Sequence, residues 1–345
     1  MKTLSVVIPS YNSEAYLEHC FETLPLEDER LEVLIVNDGS KDRTPEIAHA
    51  LAAAHPNTVR AIDQENKGHG GACTSGIHAA MGLFVRILDS DDWFDAEAIR
   101  ELLDALTAFT DKPLDEIPDL VLTNYVYNRP KKDGAFSTAA VRYQNLLPEH
   151  KMVGWADMKP SKRWQQLMMH ALTYRRQLLI DMDFHMPEHC FYVDNIFAYK
   201  PLPLVQRIYY LNLDLYQYFI GRENQSVQDA TLMRNKDQHV RVNHLLIEAW
   251  DLSEIEKISP SLYHYMFNYL EIMTVISSVI LYKSDDPEKK EKFDALWEKM
   301  QERNPACYEE LRKGILGRYL LSRGEFGRKT ALLVYKLARK MLGYT

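Results

Sequence analysis

The chain has 345 residues, enough for about two domains of the usual size. Apolar residues make up 46% and charged residues 26%, an ordinary globular composition, and the formal net charge of -8 argues against a general nucleic-acid binder. Cys20, Cys73, Cys190 and Cys307 lack CxxC spacing, which argues against a zinc ribbon or a disulfide framework and suits a reducing cytosol. The opening "MKTLSVVIPSYNSEAYL" is too short in its apolar run for a signal peptide. Within it "TLSVVIP" is continuous, apolar and rich in β-branched residues, as expected of a strand buried on both faces. Ser13 precedes a helical pattern from Ala15 to Leu24, and "LEVLIVND" is a second strand. Asp42 caps the next helix, with Pro45 in its first turn and "EIAHALAAAH" as its body. "TVRAID" reads as a third strand, "GGACTSGIHAAMG" as a helix, "LFVRILD" as a fourth strand and "DAEAIRELLDALTAF" as the helix after it.

Strands alternating with helices predict a parallel sheet with helices on both faces, and ligands bind such sheets at the carboxyl ends of the strands. From about residue 119 the pattern changes. "DLVLTNYVYN" and "AFSTAAVRYQN" read as strands around the turn "RPKKDG", and from about 229 the chain reads as helices. The apolar run from Ile272 to Tyr282 is shorter than the ~20 residues of a spanning helix and predicts a buried helix of a soluble domain. The expected divisions are 1–110, 111–228 and 229–345.

The polar clusters gather at the carboxyl ends: "PSYN", "NDGSKD", "ENKGHGG" and "DSDDW" follow strands one to four. In the last, Asp89, Asp91 and Asp92 crowd like charges at the mouth of a strand. A divalent cation is one explanation, because Mg²⁺ and its kin take one or two carboxylates plus substrate phosphates. A solvated turn is the other. Asp38, at the tip of strand two, can accept the N3–H of a uracil or thymine, and Tyr11 offers an aromatic face, where stacking of a base contributes about 1–3 kcal/mol. Gly68, Gly70 and Gly71 open a helix whose backbone N–H groups can face a phosphate or ribose. Together these loops suit a nucleoside diphosphate. Gly68-x-Gly70 lacks a third glycine and follows the third strand, so it is not a dinucleotide fingerprint. His185 and His189 are four apart, but Pro187 between them disfavours a shared helix face, and they read as ordinary surface or core histidines. Tyr125, Trp155 and Trp164 read as core aromatics, with stacking on sugar rings the alternative.

"VVIPSYNSEAYLEHCFETL", "EVLIVNDGSKDRT", "ENKGHGGACTSGI" and "RILDSDDWFD" resemble the signature of family 2 glycosyltransferases of the GT-A fold. The resemblance covers residues 3 to about 110 and extends more weakly through "FYVDNIF" and "LYQYFIGRENQS". It implies an α/β, Rossmann-like nucleotide-sugar-binding sheet flanked by helices with a C-terminal helical region, in an inverting enzyme of the bacterial polysaccharide or cell-surface glycan type. It implies that Pro9, Tyr11 and Asp38 hold the nucleobase and that Asn66 and Gly68 lie beside the ribose and diphosphate. Asp89 and Asp91 match the DxD carboxylates, with Asp91 as the ligand of Mn²⁺ or Mg²⁺ and Asp92 as its neighbour. Asp194 matches the catalytic base, and Arg222 the contact to the diphosphate. Two positions depart from the pattern. Val193 replaces a Glu, and Cys73 stands in Ala72 to Gly76 where relatives often carry Arg, leaving Lys67, His69 or Arg222 to substitute.

Inversion needs a single displacement, a base for the acceptor hydroxyl and stabilisation of the departing diphosphate, but no protein nucleophile. No Ser-His-Asp or Cys-His signature is legible. The expected activity is metal-dependent transfer of a hexosyl or N-acetylhexosaminyl group from a UDP-sugar to a glycan or lipid-linked acceptor. A sugar nucleotidyltransferase is the alternative enzyme, but its Gly-rich loop with Arg and Lys is missing after strand one. A non-catalytic glycan- or nucleotide-binding subunit would carry a damaged acidic triplet, which is intact here. In the C-terminal "GRKTALLVYKLARKMLGYT", Arg328, Lys329, Lys336, Arg339 and Lys340 share one helical arc, interrupted by Leu332, beside a broad apolar arc. That pattern suits peripheral contact with a membrane, at about 1 kcal/mol per cation. A helix packed on the domain shows the same wheel. The expected location is cytoplasmic, at the inner face of the cell membrane if that helix binds lipid.

Overall fold

The computed structural model describes residues 2–131, 135–161, 165–221 and 229–321. Trp164, Arg222 and the C-terminal basic arc lie outside the described residues. The chain divides into two compact units, one of residues 1–159 with 167–225, the other of 160–166 with 226–345.

In the first unit the chain runs β1 (Leu4–Ser10), α1 (Leu17–Phe21), β2 (Leu31–Asp38), α2 (Thr44–Ala54), β3 (Val59–Gln64), α3 (Gly68–Ala79), β4 (Phe84–Ile87), β5 (Trp93–Phe94) and α4 (Ala96–Thr107). It continues as β6 (Leu120–Leu122), β7 (Tyr125–Pro130), β8 (Phe136–Val141), β9 (Met152–Val153), β10 (Leu172–Arg175), α5 (Arg176–Asp181), α6 (Asp194–Tyr199), β11 (Ile208–Tyr210) and β12 (Tyr216–Phe219). The main sheet has the order β3-β2-β1-β4-β10-β6-β11-β9, and its first four strands are parallel. β1 and β2 are buried at every position, as their unbroken apolar runs require. A second sheet has the order β5-β12-β7-β8. This is the α/β sheet with flanking helices that the motifs imply.

Local patterns mark the elements well and their ends less well. α1 covers only Leu17–Phe21 of the expected Ala15 to Leu24. Asp42 accepts from the amide of Thr44, opening α2, and also from the amide of Glu14. Asp95 caps α4 by accepting from the amides of Glu97 and Ala98. "DLVLTNYVYN" is not one strand. Its halves β6 and β7 enter different sheets, because the side chain of buried Asn124 donates to Asn212 and Asp214 and accepts from the Tyr210 hydroxyl. Those bonds turn the backbone at Asn124 out of the main sheet.

The far side of the main sheet is held by one carboxylate. Asp119 is 2% exposed. Its Oδ1 accepts from Arg175 at 2.9 Å and Arg207 at 2.8 Å, and its Oδ2 from the amides of Gln206 and Arg207. The ends of β6, β10 and β11 are thereby joined.

The second unit contains α7 (Asp229–Arg234), α8 (Lys236–Ala249), α9 (Leu252–Ile258), α10 (Pro260–Lys283), α11 (Lys289–Arg303), α12 (Pro305–Lys313) and α13 (Ile315–Leu320). α10 starts with the Ser259 hydroxyl capping Leu262 and Pro260 in its first turn. By length and composition it is the one helix among the described residues able to cross a membrane, yet 78% of its apolar window is buried inside the structure. It forms the axis against which α8, α9, α11 and α13 pack.

Removing the shared carboxylate in Asp119→Ala leaves two part-buried guanidinium groups unpaired. Stability should fall by about 3 kcal/mol, at the lower end for a broken buried pair because both arginines keep some solvent. Urea denaturation of the variant reads this directly, and an unchanged midpoint would contradict the assigned role.

Candidate active site

β1 is flanked by β2 on one side and β4 on the other, so the strand order reverses beside it. Sheets of this kind open a crevice at that place, above the carboxyl ends. Pro9 is buried near the end of β1, opposite Val36 of β2. Tyr11 follows it and is 53% exposed, so its ring is available to a flat ligand. The loop is braced on the one after β2: the amide of Asn12 donates to the Ser40 hydroxyl, and the amide of Lys41 to the Asn12 side chain.

Asp38 ends β2 and is 2% exposed. Its Oδ1 accepts from Gln64 Nε2 at 2.7 Å and from the Lys67 amide at 2.8 Å. Its Oδ2 is buried without a hydrogen-bond donor from the described protein. Such an oxygen is costly unless a ligand supplies the donor. Asn66 donates to the Asp38 carbonyl, so the segment after β3 is tied to the tip of β2. Gly68 opens α3 with φ +74, and a Cβ there would lie 2.9 Å from His189 backbone. Glycine is needed for both reasons.

The acidic loop separates its carboxylates by burial. Asp89 and Asp91 are part-exposed, whereas Asp92 is fully buried. Asp92 accepts from the Tyr216 hydroxyl at 2.7 Å and from the Phe219 amide at 2.8 Å. The same hydroxyl accepts from the Asp89 amide at 3.2 Å. Burial, with the Asp89 charge adding to it, pushes the Asp92 carboxyl well above the usual carboxylate range. One donor atom each from Asp89, Asp92 and His170 lie within 4.8 Å of one another. By distance these three could hold one cation together. Asp92 also anchors the loop to β12 through its bonds to Tyr216 and Phe219. Asp89 and Asp91 are the carboxylates left part-exposed.

Of three further side chains near this loop, His69 was named from sequence only as a substitute for a missing Arg, and His170 and Arg86 were not assigned. His69, in the first turn of α3, contacts Asp89 Oδ1 through Nε2 at 2.9 Å and lies 3.7 Å from the Cys73 sulfur. Burial disfavours its charge, but Cys73 and Asp89 outweigh this and raise its pKa well above the ordinary value. Asp89 is the partner that matters, because burial also raises the Cys73 thiol and keeps it neutral. His170 stacks on Tyr218 with ring centres 4.6 Å apart, and burial lowers its pKa to about 4 against the pull of Asp89. It is a neutral imidazole at pH 7. Arg86, three residues before Asp89, is fully buried and lies over the Phe94 ring at 5.1 Å. Burial lowers its pKa to about 9, which leaves it charged at pH 7. The "GHGG" run offered a signal for His69. Tyr216 and His170 offered none, since they are far from the loop in sequence.

Asp194 is the first residue of α6. The turn before it carries His189 and Tyr192 in the left-handed region, at φ 50 and φ 65. The Asp194 carboxylate accepts from Asn195 Nδ2 at 3.2 Å. It keeps some solvent contact, yet the surrounding protein raises its pKa, with His69 pulling it down and Asp89 pushing it up. Asp194, His69 and Asp89 therefore share one electrostatic neighbourhood. Tyr125 and Trp155 are 4% and 6% exposed and belong to the core, as expected.

The architecture is the GT-A fold. The first 349 residues of TarS from S. aureus, in complex with UDP-GlcNAc, superpose with a TM-score of 0.67 over 98% of this chain and 92% of that one, at 20% identity. The family model described as "Glycosyl transferase family 2" matches residues 5–159 and supports the resemblance read from the motifs. EpsH of Bacillus subtilis is 29% identical over 220 residues, covering 63% of this chain and 60% of EpsH. The chondroitin synthase of Escherichia coli is 34% identical over 144 residues, covering 38% of this chain and 21% of that protein. The chain thus spans about 60% or less of the length of these two relatives.

In Tyr216→Phe the buried Asp92 loses a donor and the loop loses its brace. Stability should fall by about 1–3 kcal/mol, the cost of an unsatisfied buried acceptor. The check is a chemical denaturation series with circular dichroism of the folded state. An unaltered midpoint would mean that Asp92 does not depend on this hydroxyl.

Proposed function

We propose that the chain transfers a sugar, with inversion, from a UDP-sugar to a hydroxyl of a glycan or lipid-linked acceptor. The observation that carries this reading is Asp38, whose buried Oδ2 lacks a donor beside an exposed Tyr11 ring. A uracil N3–H between them would satisfy the oxygen while the ring stacks. From there the ribose and diphosphate run past Asn66 and Gly68 toward the acidic loop. UDP-GlcNAc in the TarS complex makes an N-acetylhexosaminyl donor the first to test. Relatives named for chondroitin synthesis and minor teichoic acid biosynthesis make a cell-surface polymer the first acceptor class.

The part-exposed Asp89 and Asp91 offer oxygen donors, and that donor set fits Mn²⁺ or Mg²⁺. Such an ion, when bound, would supply charge stabilisation for the departing diphosphate. His69 holds Asp89 in place through its Nε2 contact. Asp194 takes the proton of the acceptor hydroxyl, and burial aids this by bringing its pKa closer to neutrality. Cys73 stays a buried thiol, in keeping with a direct displacement that uses no enzyme nucleophile. A cytoplasmic position at the inner membrane face is part of this reading and rests on the basic arc from Arg328 to Lys340.

UDP should bind at least about tenfold more tightly than GDP, a difference of about 1.4 kcal/mol. Asp38→Ala should erase that preference in calorimetry. Equal affinities in the unaltered protein would remove the base pocket.

With UDP-GlcNAc and Mn²⁺, Asp194→Asn should keep UDP affinity while kcat falls by roughly 10²–10⁴-fold. The base must be ionised, so kcat/KM of the unaltered enzyme should fall as pH drops through the raised Asp194 pKa. That acid limb should lie above the pH at which a free Asp titrates, and it should vanish in the variant. Loss of UDP binding in Asp194→Asn would place the residue in the donor site or the fold.

A further inference from the structure

We propose that His78, Asp183 and His185 form a second metal site, separate from the acidic loop, for a transition-metal dication of the zinc class. His78 sits in the last turn of α3, and the other two lie in the turn after α5. All three are exposed, and one ligand atom from each lies within 4.8 Å of the others. Phe184, between Asp183 and His185, is fully buried, so the turn presents its two flanking side chains together at the surface.

The turn is already fixed on α3. His78 Nε2–H donates to the Phe184 carbonyl at 3.1 Å, and the Met186 amide donates to Thr74 Oγ1 at 3.0 Å. The first bond selects the tautomer and leaves Nδ1 with the lone pair that a metal needs, the usual support of a ligating histidine. The His78 and His185 rings stack with centres 4.9 Å apart and planes 25° from parallel. His185 Nε2 lies 3.0 Å from Asp183 Oδ1, already close to the spacing of two donors on one ion. Zinc bonds of about 2.0–2.1 Å would draw together donor atoms that already lie within 4.8 Å of one another.

The chemistry sorts the two sites. Two imidazoles and one carboxylate favour zinc, nickel or cobalt over magnesium, which prefers all-oxygen donors. A cavity of about 300 Å³, lined by Thr74, Ser75, His78, His185 and Met186, adjoins the cluster and leaves room for water or a further ligand on the ion. An ion here would staple the C-terminal turn of α3 to the segment that leads toward Asp194.

The test is equilibrium dialysis of the whole chain with Zn²⁺ in excess Mg²⁺, followed by thermal unfolding. One zinc per chain should bind, and Tm should rise with it. His78→Ala and His185→Ala should each weaken binding by about tenfold or more and abolish the Tm shift. Asp91→Asn should leave both intact, which keeps the outcome independent of the sugar-transfer reading. Co²⁺ should give visible absorption that the histidine variants lose. Circular dichroism confirms that the variants fold, and His185→Gln replaces His185→Ala if it does not. Zinc binding unchanged in the double histidine variant, zinc lost with Asp91→Asn, or no zinc bound by the folded chain would each overturn the proposal.

Discussion

The bond between the Tyr216 hydroxyl and the Asp92 carboxylate is the constraint on which the acidic loop depends. Three carboxylates within four residues repel one another unless one is held apart. Burial against β12 does this by raising the Asp92 pKa, while the amides of Phe219 and Asp89 complete the local hydrogen bonding. β5, directly after the loop, pairs antiparallel with β12 through Phe94 opposite Tyr216. The second sheet is thus the brace that gives the loop a fixed form. Arg86 supports β5, its guanidinium lying over the Phe94 ring.

α3 connects this loop to the rest of the crevice. Its body lies on β1 and β2 at close range, because a Cβ at Gly76 would meet Val7 Cγ1 at 2.2 Å. Its first turn places Gly68 next to His189 and turns His69 toward Asp89. The Lys67 amide, just before it, helps hold Asp38. One helix therefore sets the distance between the end that suits a base and the end that suits a diphosphate. Bulk at Gly76 would shift both together, since interiors are too closely packed to absorb it elsewhere.

In the second unit a largely apolar helix is kept in a single register by polar contacts. His239 contacts the Ser277 hydroxyl, Asn243 donates to Thr274 and Ser277, and Trp297 donates to Ser278. Burial lowers the His239 pKa to about 4, so this network is neutral at pH 7. Asn304 accepts from the Leu252 amide and donates to the Ile247 and Trp250 carbonyls, closing the loop between α8 and α9. Apolar packing alone would leave α10 free to slide or rotate, and paired polar groups oppose both.

The sequence by itself determined the parallel half of the main sheet, because unbroken apolar runs such as Leu4–Ser10 and Leu31–Asp38 can only be strands covered on both faces. It also determined where a site must lie, since the polar clusters end those strands. The acidic triplet and the glycines at 68, 70 and 71 were legible because their chemistry is local. What only the tertiary structure decided is which member of each cluster is spent on the fold. Asp91 and Asp92 are neighbours of identical chemistry, and burial by Tyr216, 124 positions beyond Asp92, separates them. The break of "DLVLTNYVYN" between two sheets depends on Asn212 and Asp214, and the meeting of His78 with His185 on the folding of the Asp183 turn against α3. Periodicity and spacing report the local path of the backbone, whereas a side chain's partner is set by where distant parts of the chain return, and that closure is written in no single segment.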